Sequence, residues 1–441
     1  MNRVAGADES YLLAQDLFGW SAPIQYAWVF GSEPERAELE RFGAQLAAGS
    51  LSRKVIRAVV PFARHRWVRS PHPPVLRIEA DPIADDEIGA WADRTLRTAD
   101  LDPAGGRGWQ LIGVSTMSGK FVLSLLISHM VADGQGLYNA LAAAHAGSSA
   151  STLPTESAVL ATPRWRADAK DALAQLGAAA SAARVIGTEL WRTRNDRPVT
   201  ATRVPRTIDV STDGPDTTLA IVDIDRARWA EQAKQFDGTG NTLFTAVLGG
   251  LVQRSGYPVG PDGLRVCIAV SNREAGDERA NASGGVWIRV PDEITPETGL
   301  RGIRALSKEA FTRYATSGQD KLTDNLQPVV RLLPDVVIKK MMRSIAGPDT
   351  TVSNLGAAPD SAIEIGGRRA ESFAIRAIMQ GRDAAERRRQ GPAVAAWAVE
   401  YDEKLTITFF GIHPEYFGDE AKLRAHIAAE LDAWGLAATL W

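Results

Sequence analysis

Apolar residues in the first 150 positions form short runs that predict strands and periodic stretches that predict helices. Two runs, Trp109 to Val114 and Phe121 to Ser128, flank a polar turn containing Gly119, which predicts an antiparallel hairpin. The second run is apolar at nearly every position, as is typical of a central strand covered on both faces. An alanine- and leucine-rich helix follows it, and helical spacing recurs at Glu33 to Ala48 and Ile83 to Arg97.

The later part of the chain mixes strands and helices in the same way. A small, polar, proline-containing segment from Gly147 to Pro163 predicts a linker, and the alanine-rich stretch Ala167 to Arg194 predicts a helix crossing between two halves. The remaining pattern predicts strands at Thr217–Ile224, Leu264–Val270, Phe373–Met379, Ala393–Glu400 and Leu405–Phe410, and helices at Arg226–Phe236, Thr242–Ser255, Leu300–Ala315, Pro334–Arg343 and Asp419–Trp434.

This order of elements predicts the fold class. Strands mixed with helices, without strict alternation, indicate α+β layers. A length of 441 residues fits two sheet-and-helix lobes of about 200 residues each. We therefore expect a first lobe at 1–160, a linker and crossing helix at 161–198, and a second lobe at 199–441.

Composition and charge exclude several classes of protein. Hydrophobic residues make up 45% and charged residues 23%, as in globular chains, which excludes a disordered or fibrous protein. The net charge of -3 gives no strong field for nucleic acid. The single cysteine, Cys267, excludes an internal disulfide and a cysteine-based zinc cage. The start is polar and no apolar stretch approaches the roughly 20 residues of a membrane span, so we expect a cytoplasmic protein without a transmembrane segment.

Three residues at the predicted strand-to-helix junction could carry chemistry. In one interpretation, Asp133 caps the helix and His129 is a hydrogen-bonded residue at a strand end. In the other, His129 points into a cleft, where an imidazole with a pKa of about 6.5 accepts a proton from an alcohol or amine at pH 7. Asp133 then fixes the loop by pairing with an arginine, and Gly134 leaves room for a substrate beside the ring.

The motif at this junction resembles the H-x-x-x-D-G motif of the CoA-dependent acyltransferase superfamily. That superfamily includes chloramphenicol acetyltransferase, plant BAHD acyltransferases, condensation domains and wax ester synthase/diacylglycerol acyltransferases. Ser128 stands where many members have a second histidine, and the plant-type D-F-G-W-G loop is missing. Four more segments resemble, in the same order, motifs of the wax ester synthase and polyketide-associated branch: Val60 to Trp67, Leu101 to Trp109, Cys267 to Arg273 and Val352 to Gly356.

The resemblance implies a fold and a set of site residues. It implies two chloramphenicol-acetyltransferase-like lobes, each a mixed sheet with helices, and an active site in the tunnel between them. His129 would be the general base and Asp133 would form a salt bridge with Arg273. Ser353 and Asn354 would lie on a crossover loop, where they orient substrate or donate to the oxyanion; the same residues also fit a plain turn.

The resemblance also implies substrates, and three functions remain open. The first is transfer of an acyl group from acyl-CoA, a co-substrate rather than a permanently bound cofactor, to a hydroxyl or amine without a covalent acyl-enzyme. The second is a stand-alone condensation or ester-forming enzyme that uses substrate bound to an acyl carrier protein. The third is a non-catalytic binding module of the same fold.

Basic segments and histidines outside the motif are given no catalytic role. Residues 53–69 carry six basic side chains and no acid, which predicts a solvated basic face or, alternatively, a contact for CoA phosphates, a carrier protein or a lipid surface. Arg387 to Arg389 are interpreted as a solvated loop. The remaining histidines have no metal-ligand spacing, so we expect no metal site. The six basic residues are Arg53, Lys54, Arg57, Arg64, Arg66 and Arg69.

Overall fold

The computed structural model describes residues 2–4, 6–192, 217–274, 276–277, 279–291, 293–317, 328–344, 347–390 and 392–441. The strands are β1 (Pro23–Phe30), β2 (Arg53–Ile56), β3 (Arg66–Arg69), β4 (Leu76–Ile78), β5 (Trp109–Ser115), β6 (Phe121–Ser128), β7 (Thr218–Asp225), β8 (Leu264–Ser271), β9 (Ser283–Val290), β10 (Thr350–Ala357), β11 (Glu364–Ile365), β12 (Arg368–Arg369), β13 (Ser372–Ala377), β14 (Val394–Tyr401), β15 (Lys404–Gly411) and β16 (Ala438–Leu440). The helices are α1 (Ala7–Phe18), α2 (Arg36–Ala48), α3 (Ile88–Arg97), α4 (Gly134–His145), α5 (Glu156–Leu160), α6 (Arg164–Arg192), α7 (Arg226–Gln235), α8 (Gly240–Arg254), α9 (Arg301–Ser317), α10 (Asp335–Ser344), α11 (Asp360–Ile363), α12 (Ala384–Gln390), α13 (Pro414–Phe417) and α14 (Glu420–Ala433).

Two mixed sheets form the frame of the molecule. The first has the strand order β13-β1-β6-β5-β4, with β4 parallel to β5 and the other pairs antiparallel. The second has the order β16-β7-β15-β14-β10-β8-β9, in which β10 runs parallel to both β14 and β8. The predicted α+β fold with two sheet-and-helix lobes is confirmed.

Strand β6 lies inside the first sheet, and apolar clusters cover it on both faces. Leu123 and Leu125 belong to the cluster that includes residues of α2 and α4. Val122 and Leu126 point the other way and pack with Trp91 of α3. A strand covered on both sides needs apolar residues at consecutive positions, so the predicted central strand and its hairpin with β5 are confirmed.

One strand from late in the chain belongs to the first sheet. Strand β13 pairs antiparallel with β1, with Ile375 opposite Tyr26. Its Arg376 is buried and donates from Nε to Gln25 Oε1 at 2.7 Å, and it also pairs with Asp93. Residues 372–377 therefore lie in a different sheet from the one to which the range 199–441 assigned them. The predicted boundary at 198/199 falls outside the described residues.

The second half of the chain contains every strand and helix that the pattern predicts within the described residues, with ends shifted by a few positions. The pattern missed α1, β1, β2, β3, β4, β9 and β10, and also the short elements α11, α12, α13, β11, β12 and β16. Strands β2 and β3 are rich in arginine, and β9 and β10 contain glycine and polar residues, so neither pair shows the apolar run of a buried strand. The predicted linker contains the short helix α5. Helix α6 is observed at Arg164–Arg192; Arg194, the predicted end, lies outside the described residues.

Candidate active site

The first site residues lie where β6 gives way to α4. Strand β6 ends at Ser128, and the His129 N–H donates to the Ala22 carbonyl at 2.9 Å, beside the start of β1. Asp133 is the N-cap of α4 and its Oδ1 accepts from the Gly136 N–H at 2.6 Å. The predicted capping contact of Asp133 is thus present. This contact does not determine the chemistry of the His129 imidazole.

Asn281 defines the tautomer of the His129 imidazole. Its Nδ2 donates to the His129 carbonyl at 2.8 Å and to Asp8 Oδ1 at 2.9 Å. Both of these oxygens only accept, so Asn281 Oδ1 is the atom that lies 2.9 Å from His129 Nδ1. An amide oxygen cannot donate, and the proton must therefore sit on Nδ1. Within the described residues Nε2 has no hydrogen-bond partner, and it carries the lone pair.

Burial keeps this imidazole neutral at pH 7. Desolvation lowers the pKa of His129 below its usual value, and the hydrogen bonds to the ring and the negative charge of Asp133 offset only part of that effect. A neutral imidazole with an unbonded Nε2 is a proton acceptor. This is the protonation state that general-base chemistry requires.

Tyr11 of α1 covers one face of the imidazole. The two rings are stacked, with centroids 4.6 Å apart and an angle of 25° between their planes. Tyr11 also lines two cavities, one of about 1520 Å³ and one of about 110 Å³. His129 itself lines neither cavity, although Asn281 faces the larger one and Ser128 the smaller. The imidazole therefore lies behind Tyr11, at the boundary between the two spaces.

The larger cavity lies between the two halves of the chain. Val131 and Asn139 line it from the first half, and Gly285 and Tyr314 line it from the second. Its volume exceeds the roughly 300–1,000 Å³ of an ordinary small-molecule site. A space of this size can hold an extended thioester together with a second reactant.

Asp133 and Arg273 form a buried ion pair. Arg273 Nη2 lies 2.9 Å from Asp133 Oδ1, and the two side chains are 4% and 5% exposed. The second carboxylate oxygen, Oδ2, accepts from the Ala282 N–H at 2.6 Å. Arg273 also donates to the carbonyls of Asp277, Arg279 and Ala280. The pair joins the loop before α4 to the segment between β8 and β9.

Gly134 is needed for the approach of Leu355, which corrects the expectation that it leaves room for a substrate. A Cβ at Gly134 would lie 2.5 Å from Leu355 Cδ2. Leu355 belongs to β10 in the second sheet, so the space beside Gly134 is a packing contact between the start of α4 and that strand. The Gly134 carbonyl also accepts from the Tyr26 hydroxyl at 3.0 Å.

We expect Gly134→Ala to lower the free energy of unfolding by about 1–3 kcal/mol, because the added methyl group overpacks this contact. In a Leu355→Ala background the same change should cost much less. Urea unfolding of the two single variants and the double variant measures the coupling. Equal costs of Gly134→Ala in both backgrounds would contradict the packing explanation.

Ser353 and Asn354 lie on a strand, and this corrects their placement on a crossover loop. They belong to β10, where Ser353 is opposite Trp397 of β14. Asn354 Nδ2 donates to Asn241 Oδ1 at 2.5 Å, and its Oδ1 accepts from the Gly356 N–H at 2.8 Å. Neither residue lines either cavity. The resemblance implied a loop, and the polar residues and glycine at these positions lack the apolar run that would have indicated a strand.

The basic side chains of segment 53–69 are engaged in contacts within the chain, and of the six only Arg57 and Arg69 are exposed. Arg57 pairs with Asp16 at 2.6 Å, and Lys54 pairs with Glu156 at 2.9 Å. The other two ion pairs run to helix α6 and join Arg64 to Asp171 and Arg66 to Asp168, each at 2.7 Å. Arg53 donates to Ser50 and lies over the Trp67 ring, and Arg69 donates to Ser151. The acids come from distant helices, so the local sequence could not show them.

Two of the three arginines at 387–389 are also buried, contrary to the prediction of a solvated loop. Arg387 and Arg388 are 4% and 0% exposed and lie on helix α12. Arg388 Nε is 3.1 Å from Glu415 Oε1, and Arg387 donates to the Arg382 carbonyl. The side chain of Arg389 lies outside the described residues.

Three residues that touch the site were not predicted from the sequence: Asp8, Tyr11 and Asn281. Asp8 and Tyr11 lie one turn apart on α1 and therefore share a face of that helix. Asn281 lies just before β9, within R-A-N-A-S-G-G, eight residues after Arg273. The closeness of Asn281 to Arg273 in sequence was the only available signal, because contact with His129 depends on the assembled lobes.

Comparison with known proteins shows which solved structures share this fold. No family model matches this sequence, and no curated protein matches it either. Solved structures match it over nearly its whole length. The chain is similar to the condensation domain of the Monacolin K polyketide synthase MokA, at 13% identity, with 98% of this chain and 96% of that chain covered and a TM-score of 0.59.

The chain shares its fold with condensation domains and with a wax ester synthase/diacylglycerol acyltransferase. It is also similar to the wax ester synthase/diacylglycerol acyltransferase from Marinobacter aquaeolei VT8, at 12% identity, 98% coverage of both chains and a TM-score of 0.56. A third similar structure is a mutant starter condensation domain of rhizomide synthetase RzmA in complex with C8-CoA, at 16% identity, 99% and 95% coverage and a TM-score of 0.53. The predicted fold is confirmed.

Within the described residues, every helix is too short or too polar to cross a membrane.

Proposed function

We propose that the protein transfers an acyl group from a thioester to a hydroxyl or amine, with His129 as general base. One observation carries the proposal: the neutral imidazole at the end of β6 holds its proton on Nδ1 and leaves Nε2 unbonded within the described residues. Residues that contact the ring, Tyr11 and Asn281, line a cavity large enough for two reactants. The coarser assignment to acyl transfer or condensation rests on the fold.

The chain's own groups account for each proton in the reaction. Nε2 of His129 accepts the proton of the acceptor hydroxyl or amine as its oxygen or nitrogen bonds to the thioester carbonyl carbon. The carbonyl oxygen takes up the negative charge. When the C–S bond breaks, the departing thiolate takes the proton from the imidazolium. No acyl group is carried by the protein, and general-base catalysis contributes about 10²–10⁴-fold in rate.

Stacking of Tyr11 on His129 is compatible with this chemistry. The Nε2 lone pair lies in the plane of the ring, whereas Tyr11 covers a face of the ring. Tyr11 therefore does not itself cover the in-plane direction of the Nε2 lone pair. Holding the acceptor and the thioester together in one cavity removes much of the entropic barrier to their reaction.

The fold supports two kinds of donor. A wax ester synthase and a condensation domain in complex with C8-CoA share it, which favours acyl-CoA. A polyketide-synthase condensation domain also shares it, which favours a donor bound to a carrier protein. In this chain the basic segment 53–69 is engaged in internal contacts, so it supplies no cluster of unpaired cations for CoA phosphates.

The test is product analysis with matched donors. The protein is incubated with acyl-CoA esters from C2 to C16, and separately with the same acyl groups on an acyl carrier protein, each with a panel of alcohols and amines. Mass spectrometry then identifies acylated products. Product from at least one donor supports acyl transfer and identifies the donor class. Binding of a thioester without product across the whole panel would favour the non-catalytic module and contradict the proposal.

The pH dependence of the reaction follows from the lowered pKa of His129. Only the neutral imidazole accepts a proton, so kcat/KM should be constant from pH 8 to pH 7 and fall with a midpoint below 6.5. Asp8, whose pKa burial raises to about 6, is protonated in the same range, and Asp133 and Tyr11 are the other titratable groups near the ring. A rate profile measured at constant ionic strength checks this. A midpoint above 7 would contradict a neutral, buried base.

A further inference from the structure

A chain of hydrogen bonds leads from His129 to a buried carboxylate on the first helix. Asn281 Oδ1 faces His129 Nδ1 at 2.9 Å, and Asn281 Nδ2 donates to Asp8 Oδ1 at 2.9 Å. The backbone N–H of Asn281 donates to the same Asp8 oxygen at 3.1 Å. Asp8 Oδ2 accepts from Trp67 Nε1 at 3.3 Å. Asp8 is 5% exposed, so these three donors take the place of water around its carboxylate.

This arrangement fixes the direction of every hydrogen bond. An ionised carboxylate only accepts, so Asp8 requires that Asn281 Nδ2 point towards it. The Asn281 amide oxygen then has to point away, towards the imidazole. An oxygen at that place stabilises the Nδ1-protonated tautomer and opposes the other one, whose Nδ1 lone pair would face it. The tautomer of His129 is thus set by Asn281, whose amide is held in this orientation by Asp8 together with the His129 carbonyl.

We propose that Asp8, acting through Asn281, is a positioning residue that keeps the proton of His129 on Nδ1 and so leaves Nε2 available as the base. The importance of this role rests on the proposed function, because only a reaction that uses Nε2 needs the tautomer. Helix α1 then has two roles at the site: Asp8 acts on the edge of the imidazole through Asn281, and Tyr11 of the next turn packs on its face.

The test reads the tautomer directly and the activity separately. Protein labelled with ¹⁵N-histidine gives two-bond ¹H–¹⁵N correlation spectra that distinguish Nδ1–H from Nε2–H, and His129→Gln assigns the signal among the six histidines. The wild type is expected to show Nδ1–H. Asn281→Ala should give a mixture of tautomers and lower the acyl-transfer rate by about 10–100-fold, the size of effect seen when a metal-ligating histidine loses the partner that orients it.

Substitutions at Asp8 separate its role from general stability. In Asp8→Asn, an NH2 group replaces one of the two carboxylate oxygens and faces an N–H donor of either Trp67 or Asn281. This contact between two donors should weaken the tautomer preference. Adding Trp67→Phe removes the opposing donor and should restore both readouts towards the wild type. Asp16→Asn is the matched control, since Asp16 lies on the same helix and pairs with Arg57 at the surface.

The possible results test the positioning role of Asp8 separately from the proposed acyl transfer. Loss of the Nδ1–H tautomer in Asn281→Ala and Asp8→Asn, with Asp16→Asn unchanged, supports the positioning role. An unchanged tautomer in both variants overturns it, whatever their activities. A wild type that holds the Nδ1–H tautomer but transfers no acyl group would overturn the proposed function while supporting the tautomer assignment.

Discussion

Replacing His129 with alanine is expected to lower the rate of acyl transfer by about 10²–10⁴-fold while leaving the fold intact. The reason is the loss of the only group that the account places at the acceptor proton. Binding of the thioester and acceptor in the cavity between the halves should persist. The loss should therefore appear in kcat rather than as a failure to bind, and single-turnover measurements with saturating donor will separate the two.

A matched control for this change is available at the end of α4, the helix that follows His129. His145, at the end of α4, is exposed and carries no proposed role, so His145→Ala should retain the wild-type rate. Thermal unfolding of both variants shows whether a lost rate reflects a lost fold. Wild-type turnover by folded His129→Ala protein would remove the general base from the mechanism.

Replacing Asp133 with alanine is expected to lower the free energy of unfolding by about 3–5 kcal/mol. The change leaves the buried guanidinium of Arg273 without its counter-charge, and it also removes the acceptor for the N–H groups of Gly136 and Ala282. Because the ion pair joins α4 to the segment before β9, activity should fall together with stability. Urea unfolding measures the first effect and the single-turnover rate measures the second.

Two comparisons define the role of the charge. Asp133→Asn keeps an acceptor for the helix cap but loses the ion pair, so it should lie between the wild type and Asp133→Ala. Glu309→Ala removes an exposed pair with Arg313 and should have little effect, because solvent and salt screen such pairs. A cost for Asp133→Ala no larger than that for Glu309→Ala would contradict a structural ion pair.

Much of the fold could be predicted from the sequence, because the signals that indicate it are local. Strand β6 is covered on both faces and so is apolar at consecutive positions, and Asp133 precedes a helix that needs a cap. Order along the chain then allowed several weak motifs to support one superfamily. Strand β10 was not predicted. Ser353, Asn354 and Gly356 replace the apolar run that is expected of a strand between two parallel neighbours.

The candidate site was harder to predict, because its contacts are long-range. Asn281 contacts His129 across 152 positions and Asp8 across 273. The acids that pair with the basic segment are also remote, with Asp168 and Asp171 lying 102 and 107 positions from their arginines. A local run of six cations therefore suggested an exposed surface. Ion pairs with acids on distant elements overturn that expectation. Neither composition nor periodicity reveals such pairs.

The central claim is that the acyl group passes directly from the thioester to an acceptor, with His129 as the base. A rapid-quench single turnover with an acyl donor and an acceptor identified by product analysis tests it, with product, released thiol and intact protein mass followed together. Product and thiol are expected to appear in step, the protein mass is expected to stay unchanged, and His129→Ala should slow both. A protein that gains the mass of the acyl group before product appears would contradict direct transfer.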